Sequence, residues 1–230
     1  MDSQTDSPAA LANSIREQLQ AVADPTRALI MAAYMKNRFA FFGIPTPTRR
    51  YLVKPLITPL GRNPNGEMVL QVAELLWEMH ERECQYCGTD LLMRHVRCLD
   101  ARHEPRLAQL VRSKAWWDTV DLLASRVYGV LVAKYPQLVP RIEAYGIDEA
   151  LWLRRVAILH QLGYRGQTDQ ERLARILDAN LDQTDFFIRK GIGWALRQYA
   201  YTDPEWVRDY LKSRGDRLAP LSRREGAKHL

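Results

Sequence analysis

Arginines recur at a fixed step in the second half of this chain. Arg154, Arg189 and Arg224 are each 35 residues apart, and Trp117, Trp152 and Phe187 keep the same step. The local strings agree in kind: Trp152-Leu153-Arg154-Arg155-Val156-Ala157, Phe187-Ile188-Arg189-Lys190-Gly191-Ile192 and Ser222-Arg223-Arg224-Glu225-Gly226-Ala227. Each opens a segment of helical periodicity. A period near 35 residues lies in the range of helical-pair repeats. Such units cannot bury their apolar faces singly, so they stack into a curved solenoid. Chance similarity of three helices is the competing explanation; two identical arginine steps with aromatics in register weigh against it.

The rest of the chain agrees with that architecture. Helical periodicity predicts helices at Pro8–Val22, Arg27–Lys36, Gly66–His80, Glu81–Leu99, Leu107–Ser113, Trp116–Lys134, Gln137–Tyr145, Asp148–Leu162, Thr168–Leu181, Thr184–Tyr199, Pro204–Leu211 and Pro220–His229. Short linkers with Pro, Gly, Asp or Thr separate them. In the Phe41–Pro47 loop, Thr46 is placed to cap the next helix and Pro47 to occupy its first position. No alternating strand pattern is present. The expected fold class is therefore all-α, a HEAT-like helical-repeat solenoid, read as a single domain over residues 1–230 with an N-terminal segment, 1–25, of unassigned role.

Composition excludes several classes. At 47% apolar the chain can bury a core, while 26% charged residues, a mean hydropathy of −0.35 and the lack of an apolar run of about 20 residues exclude a helical membrane span. The N-terminus lacks the basic-then-apolar pattern of a secretory signal. Three cysteines, Cys84, Cys87 and Cys98, are an odd number and argue against a disulfide framework, so a cytoplasmic location is expected. Cys84-Gln85-Tyr86-Cys87 followed by His95 and Cys98 raises a zinc site, but Glu81–Leu99 reads as one helix and a structural zinc site sets its C-x-x-C on a tight turn. Buried thiols are the favoured reading. The standard phosphate-loop, zincin, nucleophile-elbow and dinucleotide motifs are missing, and the histidines show no ligand spacing. No metal and no organic cofactor are expected.

A net charge of +6 permits an anionic partner without demanding one. Repeats change the meaning of the sum, because stacked pairs align equivalent positions. Arg154, Arg155, Arg189, Lys190, Arg223 and Arg224 would then form a basic stripe, which Lys114 extends. A stripe along a groove suits a phosphate backbone; the plainer reading is a solvated face neutralised by Glu225 and Asp185. Trp116 and Trp117 point about 100° apart on a helix, so one is expected to be buried and the other to face a groove. Trp117 and Asp121 share a helix face, as do Trp194 and Arg197. A carboxylate on a basic surface opposes polyanion binding. It is explained either by chemistry that develops positive charge or by simple pairing with a repeat arginine. Gly191 and Gly193, inside a predicted helix, read as points of close helix packing.

Several strings together resemble the AlkD family of HEAT-like-repeat DNA glycosylases, from about Ala32 to the C-terminus. They are Tyr34-Met35-Lys36-Asn37 with Phe42-Gly43-Ile44, Thr46-Pro47 with Arg49-Arg50, Leu76-Trp77, and Lys114-Ala115-Trp116-Trp117-Asp118-Thr119-Val120-Asp121. Further matches are Trp152-Leu153 with Arg155, Phe186-Phe187-Ile188 with Lys190, Ile192-Gly193-Trp194 with Leu196-Arg197, and Leu218-Ala219-Pro220-Leu221-Ser222 with Arg224-Glu225 and Lys228-His229. The Trp-Trp-Asp-x-Val-Asp and Ile-Gly-Trp-x-Leu-Arg strings are the specific ones. The resemblance implies a C-shaped solenoid with a concave basic groove for duplex DNA. It implies release of cationic alkylated purines, 3-methyladenine and 7-methylguanine, without insertion of the lesion base into a pocket. By position Trp117, Asp121 and Trp194 match the catalytic cluster. Tyr34, Arg155 and Arg197 match DNA-binding positions, with Thr46 and Lys190 as further phosphate contacts. The expected partner is double-stranded DNA carrying alkylated bases, bound by a monomer with no membrane association. The alternatives are a non-catalytic HEAT-repeat protein that binds damaged or branched DNA, and a protein scaffold.

Overall fold

Proline and short polar residues set where most of the helices begin. In this computed structural model, which describes residues 7–230, the first six residues of the N-terminal segment lie outside the described residues. Contacts divide the chain into two compact units, Met1–His103 and Glu104–Leu230. All regular structure among the described residues is helical, apart from an isolated bridge between Ala40 and Glu81. None of these helices is long and apolar enough to cross a membrane.

In the first unit, α1 (Pro8–Gln20) starts behind Ser7, whose Oγ accepts the Ala10 N–H, and α2 (Pro25–Tyr34) starts behind Asp24, which accepts the Arg27 N–H. Both place proline in the first turn, where its missing N–H costs nothing. Then come α3 (Thr46–Ile57), α4 (Gly66–Glu78) and α5 (Arg82–Arg94). α1 packs on α3 and α4, and α4 on α5, around Leu11, Ile15, Leu19, Val69, Ala73, Leu76, Trp77 and Leu91. The Phe41–Pro45 loop is held by one buried anion: Glu83 on α5 accepts the N–H groups of Phe42, Gly43 and Ile44 at 2.9–3.0 Å. A fully buried carboxylate is tolerated there because these amides replace its water. Gly43 has φ +88°, and a Cβ on it would lie 2.2 Å from the Asp24 carbonyl oxygen, so only glycine fits. Arg49 and Arg50 both donate to Asp90 and tie α3 to α5.

Two expectations for this unit change. Thr46 is not a cap: α3 begins at Thr46 itself, behind Pro45, with no side-chain bond to the first-turn amides. Glu81–Leu99 is not one helix, because His95 leaves helical geometry at φ −111°, ψ 22° and a short 3₁₀ turn, Val96–Cys98, follows. Cys84 and Cys87 do lie buried on α5, and burial pushes the Cys87 thiol up to about 12. Burial likewise raises the Cys84 thiol above its ordinary value.

The second unit comprises α6 (Glu104–Arg112), α7 (Trp117–Leu122), a π turn (Leu123–Tyr128), α8 (Gly129–Lys134), α9 (Val139–Tyr145), α10 (Leu151–Leu159), α11 (Gln170–Asp178), α12 (Phe186–Ala200), α13 (Pro204–Arg214) and α14 (Pro220–Gly226). The predicted Trp116–Lys134 helix is thus continuous in space but wound wider in its middle turn. α7, α10, α12 and α14 start 34, 35 and 34 residues apart. They pack in sequence, α10 against α7 and α12, then α12 against α14. This is the repeat, realised as a stack. α9 and α11 pack on α10, and α13 on α12. Asp169, Asp185 and Asp203 cap α11, α12 and α13. Glu104, buried, accepts the hydroxyls of Tyr128 and Tyr145, which joins α6 to the π turn and α9.

The 35-residue arginines are part of the stack's own fastening. Arg154 Nε donates to the Asp148 carbonyl and Arg189 Nε to the Gln183 carbonyl, each six residues back. In the last repeat the reach falls to Arg223, which donates to the Gly215 carbonyl. Each guanidinium satisfies a loop carbonyl that leads into its own helix.

Candidate nucleic-acid site in the second unit

Side chains at i, i+4 and i+7 of a helix form one stripe. On α12 that stripe is Lys190, Trp194 and Arg197, begun by Phe186 and Phe187. It faces Trp117 and Asp121, one turn apart on α7, and Arg155 on α10. Together these eight residues line an open cleft of about 380 Å³. Its lining joins four aromatic rings, three cations and one carboxylate.

Asp121 is held on both oxygens. Arg155 Nε donates to Oδ1 at 2.6 Å and Nη2 to Oδ2 at 2.8 Å. The third donor, Nη1, goes to the Phe187 carbonyl. Arg155 is buried, and Asp121 is 15% exposed in its side chain. Room for the guanidinium comes from Gly191, where a Cβ would lie 3.1 Å from Nη1. Burial pushes the Asp121 carboxyl above its ordinary value, an effect that the Arg155 bonds offset only in part. The planar fork of arginine fits a carboxylate on two parallel bonds while leaving its outer lone pairs free.

A second carboxylate pairs with two of these cations. Glu225 on α14 is 5% exposed and accepts from Lys190 Nζ at 2.9 Å, Arg197 Nη1 at 2.9 Å and Lys228 Nζ at 2.8 Å. Hydrogen bonds from Lys228 and Lys190 hold its carboxyl down at about 2. α14 comes close enough because residue 193 is glycine: a Cβ there would lie 2.5 Å from the Glu225 Cβ and 3.0 Å from the Ser222 carbonyl oxygen.

Of the sequence-predicted residues, Trp117, Asp121, Arg155, Lys190, Trp194 and Arg197 meet in this cleft. Arg154, Arg189 and Arg223 do not line it; their guanidinium groups are engaged with loop carbonyls. Arg224 is exposed on α14, and Lys114 sits in the bend before α7 with φ +48°. Tyr34, 70% exposed at the end of α2, and Thr46, exposed at the start of α3, belong to the first unit. Neither Trp116 nor Trp117 is fully buried, contrary to the expected division. Trp116 instead meets Trp152 and Phe187 edge to face, at centroid distances of 5.6 and 4.9 Å. The aromatic column of the repeat is therefore Trp116, Trp152 and Phe187, which releases Trp117 to the cleft. Phe186 as a lining residue was not singled out from sequence, and Glu225, expected there as a neutralising partner of the stripe, is the buried anchor of Lys190 and Arg197. A signal existed for the second: Arg155, Lys190 and Glu225 are themselves 35 residues apart.

Comparison with known proteins gives a consistent result. A family model described as DNA alkylation repair enzyme matches residues 15–230. Among solved structures, a predicted DNA alkylation repair enzyme from Enterococcus faecalis superposes with a TM-score of 0.83 at 37% sequence identity, over 90% of this chain and 96% of that one. A search of curated proteins finds no significant match.

Proposed function

The chain belongs to the DNA alkylation repair enzyme family, and from that premise we propose that it is a DNA glycosylase hydrolysing the N-glycosidic bond of cationic alkylated purines in duplex DNA, 3-methyladenine and 7-methylguanine above all. The observation that carries this reading is a single carboxylate, Asp121, that lines an open cleft together with Trp117, Trp194 and three cations. Alkylation at N3 or N7 leaves the purine positively charged, so it departs as a neutral base and needs no strong general acid. The C1′–N bond breaks, oxocarbenium character develops on the deoxyribose, and water forms the new C1′–O bond and gives up its proton. Asp121 faces that charge and orients the water. The two indole faces contact the lesion sugar and its cationic character. Lys190 and Arg197 hold phosphates and set register without reading sequence, while Arg155, a DNA contact expected from sequence, is buried and given over to Asp121 and the Phe187 carbonyl. Tyr34 and Thr46 are proposed as separate backbone contacts of the first unit, and Lys114 and Arg224 as peripheral ones. An open cleft, in place of a closed pocket, suits a base that stays outside the protein.

The test is base release from methylated duplex DNA by the intact chain, compared with Asp121→Asn. Release by the first and not the second supports the assignment, and equal release by both removes Asp121 from the chemistry. One observation favours a second reading, a protein that binds damaged or branched DNA without excision: both Asp121 oxygens already accept from Arg155. That reading predicts salt-dependent binding with no released base.

A further inference from the structure

Glu225 lies outside the cleft yet contacts two residues that line it. It is the point where Lys190 and Arg197 converge, two side chains seven residues apart on α12 that flank Trp194 on its face. Left alone, the two cations would repel one another and extend into solvent, since each is a long side chain with considerable rotamer freedom. One buried carboxylate removes that freedom. Oε1 takes Lys190 and Lys228 while Oε2 takes Arg197, and each cation keeps further N–H donors for an anion. Lys190 and Arg197 remain 37% and 26% exposed, so both can reach a ligand without breaking from Glu225. The carboxylate is itself anchored, because α14 rests on Gly193 and Ser222 Oγ donates to the Arg189 carbonyl at 2.8 Å.

This has a cost that argues for a purpose. A protein binding a polyanion gains by adding positive charge, whereas Glu225 subtracts from it. Resting on the glycosylase reading above, we propose that Glu225 is a positioning residue: it fixes Lys190 and Arg197 on either side of Trp194, so that the phosphates flanking an alkylated nucleotide are gripped in the register that brings the lesion sugar to Asp121.

Electrostatics and positioning predict opposite signs, which makes the idea testable. In Glu225→Gln the shape is kept and one negative charge is lost. Binding to undamaged duplex DNA is expected to be as tight as in the unchanged chain or tighter. The single-turnover rate of 7-methylguanine release at saturating protein is expected to fall about tenfold, comparable to the loss of a single positioning contact. Glu225→Asp keeps the charge and is expected to recover part of the rate. In a Lys190→Ala/Arg197→Ala background, adding Glu225→Gln is expected to change the rate no further, because the residue acts only through those two. A normal release rate in Glu225→Gln overturns the proposal, and so does a rate loss that persists undiminished in the double-alanine background. If Glu225→Gln has no cooperative unfolding transition, Glu225→Asp is read by the same two assays, and an unchanged rate there with normal unfolding overturns it. Absence of release by the unchanged chain takes down the glycosylase reading itself, a result distinct from normal release by both chains.

Discussion

Asp121 and Arg155 form a two-bond pair between α7 and α10, at 2.6 and 2.8 Å, and the pair sits in the wall of the cleft. The same partner keeps the carboxylate in place and opposes the upward push of burial on its carboxyl. It is thereby available for a developing cation without being free to seek Lys190.

Replacing Asp121 with Asn is expected to lower base release by about 10²-fold or more, the scale of a preorganised charge-stabilising group, with duplex binding little changed. The rate in the unchanged chain should also fall on acidification. Burial sets the Asp121 carboxyl above its ordinary 3.8, so the ionised form is lost as pH falls through a value higher than that. An acid limb in the pH–rate profile that disappears in the Asn variant would bear this out.

Arg155→Ala leaves the Asp121 carboxylate largely buried and unpaired. Breaking a buried pair from one side costs about 3 kcal/mol, read as a lower denaturant midpoint at pH 7. The same variant should move the acid limb of the rate to higher pH, since the lowering influence of the guanidinium on Asp121 is gone.

Arg154 and Arg189 should behave differently from Arg197. Alanine at 189 removes a bond to the Gln183 carbonyl, and alanine at 154 removes bonds to the Asp148 and Ile147 carbonyls and to Asn180 Oδ1; each is expected to cost about 1 kcal/mol of stability or more while leaving the salt dependence of DNA binding unchanged. Arg197→Ala should reduce the slope of log K against log salt by about 1. Titration of binding across salt concentrations separates the two groups.

Gly193→Ala forces α14 away from α12. A destabilisation of about 1–3 kcal/mol is expected for overpacking at such a contact, again by chemical denaturation, with loss of base release as Glu225 moves.

Glu225 also gives a pH signature. Its carboxyl is at about 2 in the folded chain against an ordinary 4.5, so its contribution to stability is complete above pH 4.5 and is lost as pH falls toward 2. The stability difference between the unchanged chain and Glu225→Gln should therefore narrow between pH 5 and pH 2.

Much of this was legible from one sequence. Asp and Ser before Pro or before an apolar period locate helix starts, and the 35-residue step locates the stack because equivalent helices must meet equivalent neighbours. The Trp117–Asp121 spacing is a local helical relation and survives folding. What was hidden depends on direction around a helix. Arg154 and Arg155 are adjacent in sequence, yet one turns to its loop and the other to Asp121. Trp116 and Trp117 divide in the same way, one joining the aromatic column and the other the cleft. Glu83 is a different case: its role depends on amides some 40 residues earlier that no helical pattern points to.

The π turn at Leu123–Tyr128 begins two residues after Asp121. A π turn holds an extra residue compared with an α turn, and each residue advances a helix by about 100°. α7 and α8 are therefore out of phase with one another, although they run on as one rod. The wall of the cleft and the downstream core are thus set by independent rotations. α8 can satisfy the packing of Leu131 and Val132, both buried, without dictating where Trp117 and Asp121 point. A single deletion within the turn would couple the two again and swing the acid away from Arg155.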